Sequence, residues 1–377
     1  MAQNRNLYRL TRFILLRVPY LFRLISFLRP TRKKLLIIKA DAIGDYIIFR
    51  NFIEQVKTST LYRDHEIHLL GNDLWADLAR EVDGDRITRF YFTRPNSLYY
   101  NPRAVFKLGW QLFTAGYNVV LNPNSTRTFI TDGFAGLTAA KQTIGFESDT
   151  EGIELKFKRK TDRFYTRLLQ LPGNVNFEFY RHRYFFETVL NQRTSVSQPK
   201  LELGVDGHRA GIIIMAGAGL ANRAWEPHKF TELITLLLEH TTETIYIAGA
   251  PGDAAINQKI IAQFNTPQIV NITGQTSLTQ LCRKIASATL VIANDSGAIH
   301  IAAATGTPSV CVVGGGHFER FVPYPESFVT APVSVFKKME CYYCNWRCIY
   351  TVKADEAFPC IGNIAIADVW QPVKQLL

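Results

Sequence analysis

The sequence predicts an α/β protein: two doubly wound parallel sheets, each the heart of its own domain, behind a basic amphipathic helix. Three observations predict it. From Leu35 onward, short apolar runs alternate with helical stretches, and strands that read as continuous apolar runs belong to parallel sheets covered by helices on both faces. The alternation occurs twice, once on each side of a polar stretch from Asn191 to His208. A chain of 377 residues, 47% hydrophobic and 20% charged, is globular in composition and long enough for two cores.

Residues 1 to 34 stand apart. They hold Arg5, Arg9, Arg12, Arg17, Arg23, Arg29, Arg32, Lys33 and Lys34 and no acid, so most of the net charge of +11 lies there and the rest of the chain is close to neutral. Interleaved Phe13, Leu15, Leu16, Phe22 and Leu24 make a helix with one basic side, bent near Pro19. Such a helix lies on an anionic membrane surface. Docking on the protein's own body or on a partner, and a targeting role, are the alternatives. Arg17 and Arg23 interrupt every apolar run well short of the roughly 20 residues a spanning helix needs.

The first domain, residues 35 to 195, opens with the strand LLIIKA and the helix DYIIFRNFIEQVK. The strand EIHLLG, the helix DLWADLAR and the strand YNVVLNPN follow. The second domain, residues 205 to 377, repeats the alternation with strands in AGIIIMAGAG, TIYIAGAPG, QIVNITG, TLVIAND and PSVCVVGGG. It ends with a closing strand in FVTAPVSVF, a Cys-rich segment over 341 to 360, and a helix in IAIADVWQPVKQLL. In such sheets ligands sit at the carboxyl ends of strands, where loops lead into helix N-termini.

Those loops carry the chemistry. LVIANDSGAIHIAAATGTPSV places Asp295 at a buried strand end and opens an Ala-rich helix with Ser296 and Gly297, with His300 one turn inside. Free N–H groups and the helix dipole favour an anion there, and Gly297 would let a diphosphate reach the backbone. A capped helix with Asp295 in the cap is the other reading. In MAGAGLANRAWEP the small residues Gly217 and Gly219 follow a strand, and Arg223 lies beyond them within reach of a phosphate. Trp225 is expected in the core and Pro227 in the first turn of the next helix. In IAGAPGD, Asp253 either accepts hydrogen bonds from a ribose or sits at a helix start. KADAIGD, at the end of the first strand, gathers Lys39, Asp41, Gly44 and Asp45 into one turn. Neither G-x-G-x-x-G nor G-x-x-x-x-G-K-[ST] occurs, which removes support from nicotinamide-dependent hydride transfer and P-loop NTP hydrolysis.

KADAIGD, GAGLANRAWEPHKF and NDSGAIHIAAATGTPSV, in that order over roughly residues 35 to 330, resemble the three landmarks of glycosyltransferase family 9, the lipopolysaccharide heptosyltransferase-like enzymes. The resemblance implies a GT-B fold, two Rossmann-like domains facing across a cleft. It implies an N-terminal domain for the acceptor, a C-terminal domain for a nucleotide-activated sugar, inversion at the anomeric carbon, and no cofactor required for catalysis. It further implies Asp45 as the catalytic aspartate, Lys39 as the basic residue at the strand end, Arg223 as a phosphate contact, and Asp295, Ser296, Gly297 and His300 as the donor-side helix start. Many family members have His-Pro after the mid-chain strand. This chain has Met215-Ala216, which leaves heptose or another sugar open.

Displacement at a sugar carbon needs a base for the acceptor hydroxyl proton, and a carboxylate at a strand end can serve. Gly44 would let the turn tighten, and Lys39 would orient an anionic acceptor or the base itself. Asp41 is the rival base, and a structural role for both carboxylates is a third reading. The charge of the departing diphosphate would fall to Arg223 and the N–H groups of Ser296 and Gly297.

Cys341, Cys344, Cys348 and Cys360 cluster near the C-terminus, the first three at spacings that suit tetrahedral metal coordination. A structural zinc, free thiols packing a loop, and disulfides in an oxidising compartment all stand as readings. Cys282 and Cys311 read as core residues. The final helix is expected to cross back to the first domain, and His317, Phe318 and Arg320 to border the donor or lie in a solvated loop.

The expected partners are a nucleoside-diphosphate sugar, a lipid-linked saccharide acceptor and an anionic membrane surface met by the N-terminal arm, with no nucleic acid. The expected place is peripheral, on the cytoplasmic face of a bacterial membrane. A non-catalytic scaffold of the same fold at the membrane is the main alternative. A zinc-stabilised nucleic-acid binder is another, disfavoured by the near-neutral body.

Overall fold

The computed structural model describes residues 4–149, 151, 158–205 and 207–377. The chain divides into two compact units: unit 1 is Met1–Val175 with Phe179–Ser197, and unit 2 is Asn176–Glu178 with Gln198–Leu377.

Unit 1 is built on six parallel strands: β1 Lys34–Lys39, β2 Glu66–Asn72, β3 Arg89–Thr93, β4 Val119–Asn122, β5 Gln142–Phe146 and β6 Arg167–Leu169. They lie in the order β3-β2-β1-β4-β5-β6. In β1 every residue after Lys34 is buried, as a central strand covered on both faces requires. Ile37 pairs with Leu69 of β2 on one side and Leu121 of β4 on the other. The winding reverses between β1 and β4, so their carboxyl ends flank the crevice where such sheets bind ligands.

Helix α1, Arg5–Ile25, is capped by Asn4, whose side chain accepts the Asn6 N–H at 3.0 Å. It is part of unit 1. Ile14, Leu15 and Phe22 join Val105, Leu112 and Phe134 in the core, against the helices Pro102–Ala115 and Phe129–Leu137. Leu15 fills the space a side chain at Gly133 would need, its nearest atom 2.5 Å from the missing Cβ. Pro19 lies inside the helix and is buried. Among the described residues no helix is long and apolar enough to cross a membrane.

Unit 2 repeats the winding with β7 Ile212–Met215, β8 Ile245–Ile247, β9 Ile269–Asn271, β10 Leu290–Asn294, β11 Ser309–Val312 and β12 Val333–Val335, in the order β12-β11-β10-β7-β8-β9. Its crevice therefore lies between β7 and β10. Pro227 occupies the first turn of the helix Pro227–His240 as expected. The closing helix Ile366–Leu376 belongs to unit 2. Its Val369 and Val373 are buried, it packs on β11, β12 and Pro227–His240, and the rings of Trp370 and His240 lie 4.8 Å apart.

Candidate active site

At the crevice of unit 1, β1 ends on Lys39, whose side chain is 1% exposed. Burying an ammonium demands partners. Lys39 Nζ donates to Asp41 Oδ2 at 2.7 Å and to Asn124 Oδ1 at 3.0 Å. Asn124, two residues beyond β4, returns its amide to the Ile38 carbonyl at 3.2 Å and to Asn122 Oδ1 at 2.8 Å, which stitches the two strand ends together. The turn is pinned from the other side by Trp75 Nε1 on the Asp41 carbonyl at 3.1 Å and Asn72 Nδ2 on the Ala40 carbonyl at 3.2 Å.

Helix α2, Ile43–Phe49, begins at once, with Gly44 and Asp45 in its first turn. Gly44 is buried there without a positive φ, so the conformational freedom expected of it is not used. Asp45 is half-buried. Tyr46 beside it stacks on Trp75, centroids 4.2 Å apart and planes 8° off parallel, and its hydroxyl donates to Asp83. Arg50 Nη2 also reaches Asp83, at 2.8 Å. These contacts fix the helix that carries Asp45. His182 is buried near Lys39; burial, and then the Lys39 charge, hold its pKa well below the ordinary value, so it is neutral.

At the crevice of unit 2, Asn294 ends β10 fully buried, with its amide on the Ala216 carbonyl and its Oδ1 accepting the Trp225 N–H. This ties the loop after β7 to the end of β10. Trp225 is core, as expected, and donates Nε1 to the Ile364 carbonyl at 3.0 Å. Arg223 lies in that loop with its guanidinium 4.4 Å over the Trp346 ring and its Nε buried without a hydrogen-bond partner. Burial lowers its pKa, opposed by the nearby Asp295 carboxylate and then by Cys344.

Ser296 precedes the helix Gly297–Thr305 in an extended conformation, makes no side-chain cap bond, and has its Oγ buried without a partner. Asp295 is half-buried, its N–H on the Val312 carbonyl at 3.1 Å. His300 faces the interior: its Nδ1 lies 2.9 Å from the Tyr324 hydroxyl, and burial pushes its pKa down to about 4. Gly217 approaches Asp253, not open space; a Cβ there would lie 2.5 Å from the Asp253 carboxylate. Asp253 in turn accepts the Ala250 N–H at 2.8 Å and caps its turn. Gly219 has nothing within 4 Å of its missing side chain and is open to a ligand.

The Cys-rich segment packs over the loop that follows β11. Side chains added at Gly314, Gly315 and Gly316 would overlap Ile361, Tyr342 and Trp346, so the triple glycine is what permits that close cover. Cys341, Cys344, Cys348 and Cys360 line one small cavity with Trp346 and Phe358. Among the described residues no group of three or more His, Cys, Asp or Glu is arranged to hold a metal ion, so a structural zinc, one of the three readings, finds no support. Cys360 Sγ instead accepts the Gly315 N–H at 3.4 Å. Nearby, Trp346 Nε1 donates to His317 Nδ1 at 3.3 Å, Phe318 is buried, and Arg320 pairs with Glu178 at 3.1 Å. The loop is ordered by its own contacts.

Residues 134–343 match the family model for glycosyltransferase family 9 (heptosyltransferase). The chain belongs to glycosyltransferase family 9. The matched span includes Arg223, Asp295, Ser296, Gly297 and His300 and begins after the Asp45 turn. Among curated relatives, the lipopolysaccharide core heptosyltransferase OpsX of Haemophilus influenzae is 30% identical over 122 residues, 32% of this chain and 35% of that protein. Lipopolysaccharide heptosyltransferase 3 of Escherichia coli is 28% identical over 138 residues, 36% of this chain and 40% of that protein. The chain thus matches little more than a third of these relatives' length. The fold of this family 9 member is that of solved heptosyltransferases. ADP-heptose lps heptosyltransferase II of E. coli superimposes with a TM-score of 0.65 at 17% identity, covering 91% of this chain and 98% of that one. E. coli heptosyltransferase WaaC with ADP-2-deoxy-2-fluoro heptose gives 0.65 at 15% identity, covering 91% and 100%. This GT-B likeness bears out the fold class expected from the sequence.

Asn294, Asn124, Trp346 and His182 were not foreseen in the site. For Asn294 and Asn124 a signal existed: an amide closing an apolar strand, or just past it, must find buried partners. Trp346 had none, since nothing in its neighbourhood ties it to Arg223, which lies far away in the chain.

Proposed function

We propose that this family 9 chain moves a sugar, with inversion, from a nucleoside-diphosphate donor to a lipid-linked saccharide acceptor in cell-envelope glycan synthesis. It would work at the cytoplasmic face of a bacterial membrane, with the N-terminal arm against the lipid surface. The observation that carries the reading is the start of the helix Gly297–Thr305. There Ser296 Oγ is buried without a partner, and Arg223, with an unpartnered Nε, lies within electrostatic reach of the adjoining Asp295. Unsatisfied buried polar atoms are few in native proteins, and a guanidinium with a helix N-terminus calls for an anion. A diphosphate answers all of them.

The acceptor hydroxyl attacks the anomeric carbon on the face opposite the leaving group, and Asp45 takes its proton. The bond from that carbon to the diphosphate oxygen breaks, and the diphosphate leaves with the electron pair. Arg223 and the N–H groups of Ser296 and Gly297 offset the charge it gains. Asp41 is the weaker candidate for the base, because it is already engaged as the partner that the buried Lys39 ammonium needs. The charge stabilisation comes from protein groups, so the reading requires no cofactor.

ADP-heptose is the first donor to try, because one heptosyltransferase neighbour, WaaC of E. coli, is described both with ADP and with an ADP-heptose analogue. Met215-Ala216 in place of His-Pro makes other sugars worth equal effort. The test is the thermal midpoint of the full chain with ADP-, GDP-, UDP-, CDP- and dTDP-sugars, where a ligand at a hundred times its Kd adds about 2.7 kcal/mol. A rise with one nucleotide class, lost in Arg223→Ala and kept in Asp45→Asn, supports the reading. No rise with any donor, and no sugar transfer, overturns it in favour of the non-catalytic scaffold.

A further inference from the structure

We propose that unit 1 carries a phosphate-binding groove along α1 that seats the headgroups of an anionic bilayer. Two adjoining cavities, of about 220 and about 500 Å³, open between α1 and the turn spanning residues 158 to 163, and both are lined by Arg12, Leu16 and Lys160. Arg9, Arg17, Lys158 and Arg163 complete a cationic wall. Asp132 is the one acid among the described lining residues. It is buried and already accepts the hydroxyls of Tyr165 and Thr161. Lys158 is buried and paired with Asp149, and Asp162 with Arg127, so the exposed Arg9, Arg17 and Arg163 give the groove its surplus positive charge.

The rest of α1 says what kind of anion this is. At 100° per residue the helix has three faces. Ile14, Leu15 and Phe22 turn into the core, and Arg5, Arg9, Arg12 and Arg23 form a side stripe. Leu10, Phe13, Leu21 and Leu24 form an outward apolar stripe, Leu24 being 72% exposed. Phe27 and Leu28, just beyond the helix, are 79% and 72% exposed. A soluble phosphate has no use for that stripe. A phospholipid supplies both parts, an anionic headgroup for the cavities and an apolar interface for the stripe.

Tyr99 and Phe129, on the rim, follow β3 and β4 in the chain, so the groove lies toward the carboxyl edge of the unit 1 sheet, the edge that bears Asp45. That a lipid-borne acceptor would meet Asp45 there rests on the proposed glycosyl transfer; the lipid contact itself does not.

The experiment is flotation of the full chain with phosphatidylcholine vesicles, with and without phosphatidylglycerol as about a third of the lipid. The variants are Arg9→Gln/Arg17→Gln/Arg163→Gln and, separately, Leu24→Ser/Phe27→Ser, with ADP-sugar thermal shift as an independent check of unit 2. The expected result is binding to anionic vesicles alone, a fall of roughly a hundredfold in the triple variant, and loss in the apolar variant. Unchanged thermal shifts would accompany it. Equal binding to neutral vesicles, undiminished binding of the triple variant, or release by inorganic phosphate beyond that caused by chloride of equal ionic strength would overturn the proposal. So would failure to float by a chain that self-associates through the Leu24 and Phe27 stripe. A failure here with intact thermal shifts leaves the glycosyl-transfer reading standing.

Discussion

Asn294 holds Ala216 across the crevice of unit 2, its side-chain N–H on the Ala216 carbonyl at 2.7 Å, while its Oδ1 takes the Trp225 N–H at 2.9 Å. One buried amide thus fixes both ends of the loop that carries Arg223. Asn294→Leu leaves a buried carbonyl and a buried N–H without partners, a loss of about 2–6 kcal/mol in unfolding free energy at roughly 1–3 per group. Chemical denaturation of the two proteins measures it.

Asp45→Asn keeps the shape of the α2 turn and removes the base. Transfer should fall by about 10²–10⁴, the usual worth of a positioned general base, with donor affinity unchanged. Asp41→Asn should reduce stability, because it strips the buried Lys39 of its ion pair. Product formation in single-turnover assays, beside a thermal melt, separates the two carboxylates. A larger kinetic loss in Asp41→Asn would exchange their roles.

Arg223 is held over the face of the Trp346 ring, and the planar fork of a guanidinium is what grips a diphosphate with two bonds. Arg223→Lys should therefore recover little of the roughly 10²–10³ loss expected for removing a charge-stabilising donor. Trp346→Leu should lower donor affinity while leaving Arg223 in place. Titration of ADP by calorimetry distinguishes these variants from the parent.

Gly316→Ala places a methyl group where the Trp346 indole lies. The ring must move, so the variant should lose stability by about 1–3 kcal/mol, as overpacked sites do, and weaken donor binding through the displaced Arg223. Near-ultraviolet circular dichroism would report the changed tryptophan environment.

His300 is neutral in the fold with a pKa of about 4, against 6.5 for the free side chain. Between those values the unfolded chain binds the proton and the folded chain does not. Stability is therefore full above pH 6.5 and falls as the pH drops toward 4, by on the order of 3 kcal/mol from this residue. Burial lowers His68 to about 4 as well and acts in the same sense. His300→Gln, which still offers Tyr324 a partner, should flatten the slope in urea melts across that window. An unchanged slope would mean that His300 titrates in the fold.

Much of this was legible in the chain's residue pattern. Strands such as LLIIKA and TLVIAND are central, buried on both faces, and announce themselves as apolar runs. β3 and β6 escaped notice because they are edge strands, partly exposed and mixed in composition, and β5 did so because its short buried run, QTIGF, is broken by Thr143 and Gly145. In the candidate site, the helix start at Ser296 and Gly297 was legible because a backbone feature made it. The site was less legible where side chains choose among partners. Lys39 takes Asp41, His300 takes Tyr324, and Asp253 caps its own turn, choices that depend on which elements meet in space. Cysteine spacing left zinc, free thiols and disulfides open for a related reason: the four cysteines line one small cavity, and spacing along a chain does not say whether they are arranged for a metal.

The packing of Leu15 onto Gly133 bears on how this protein should be handled at the bench. A version trimmed to begin at β1, the natural choice for removing a greasy arginine-rich segment, would strip the cover from Val105, Leu112 and Phe134. It would gain a sticky flank in place of the one it shed. Purification tags belong at the C-terminal end, and solubility is better sought by replacing the outward Leu24 and Phe27 than by cutting the helix away.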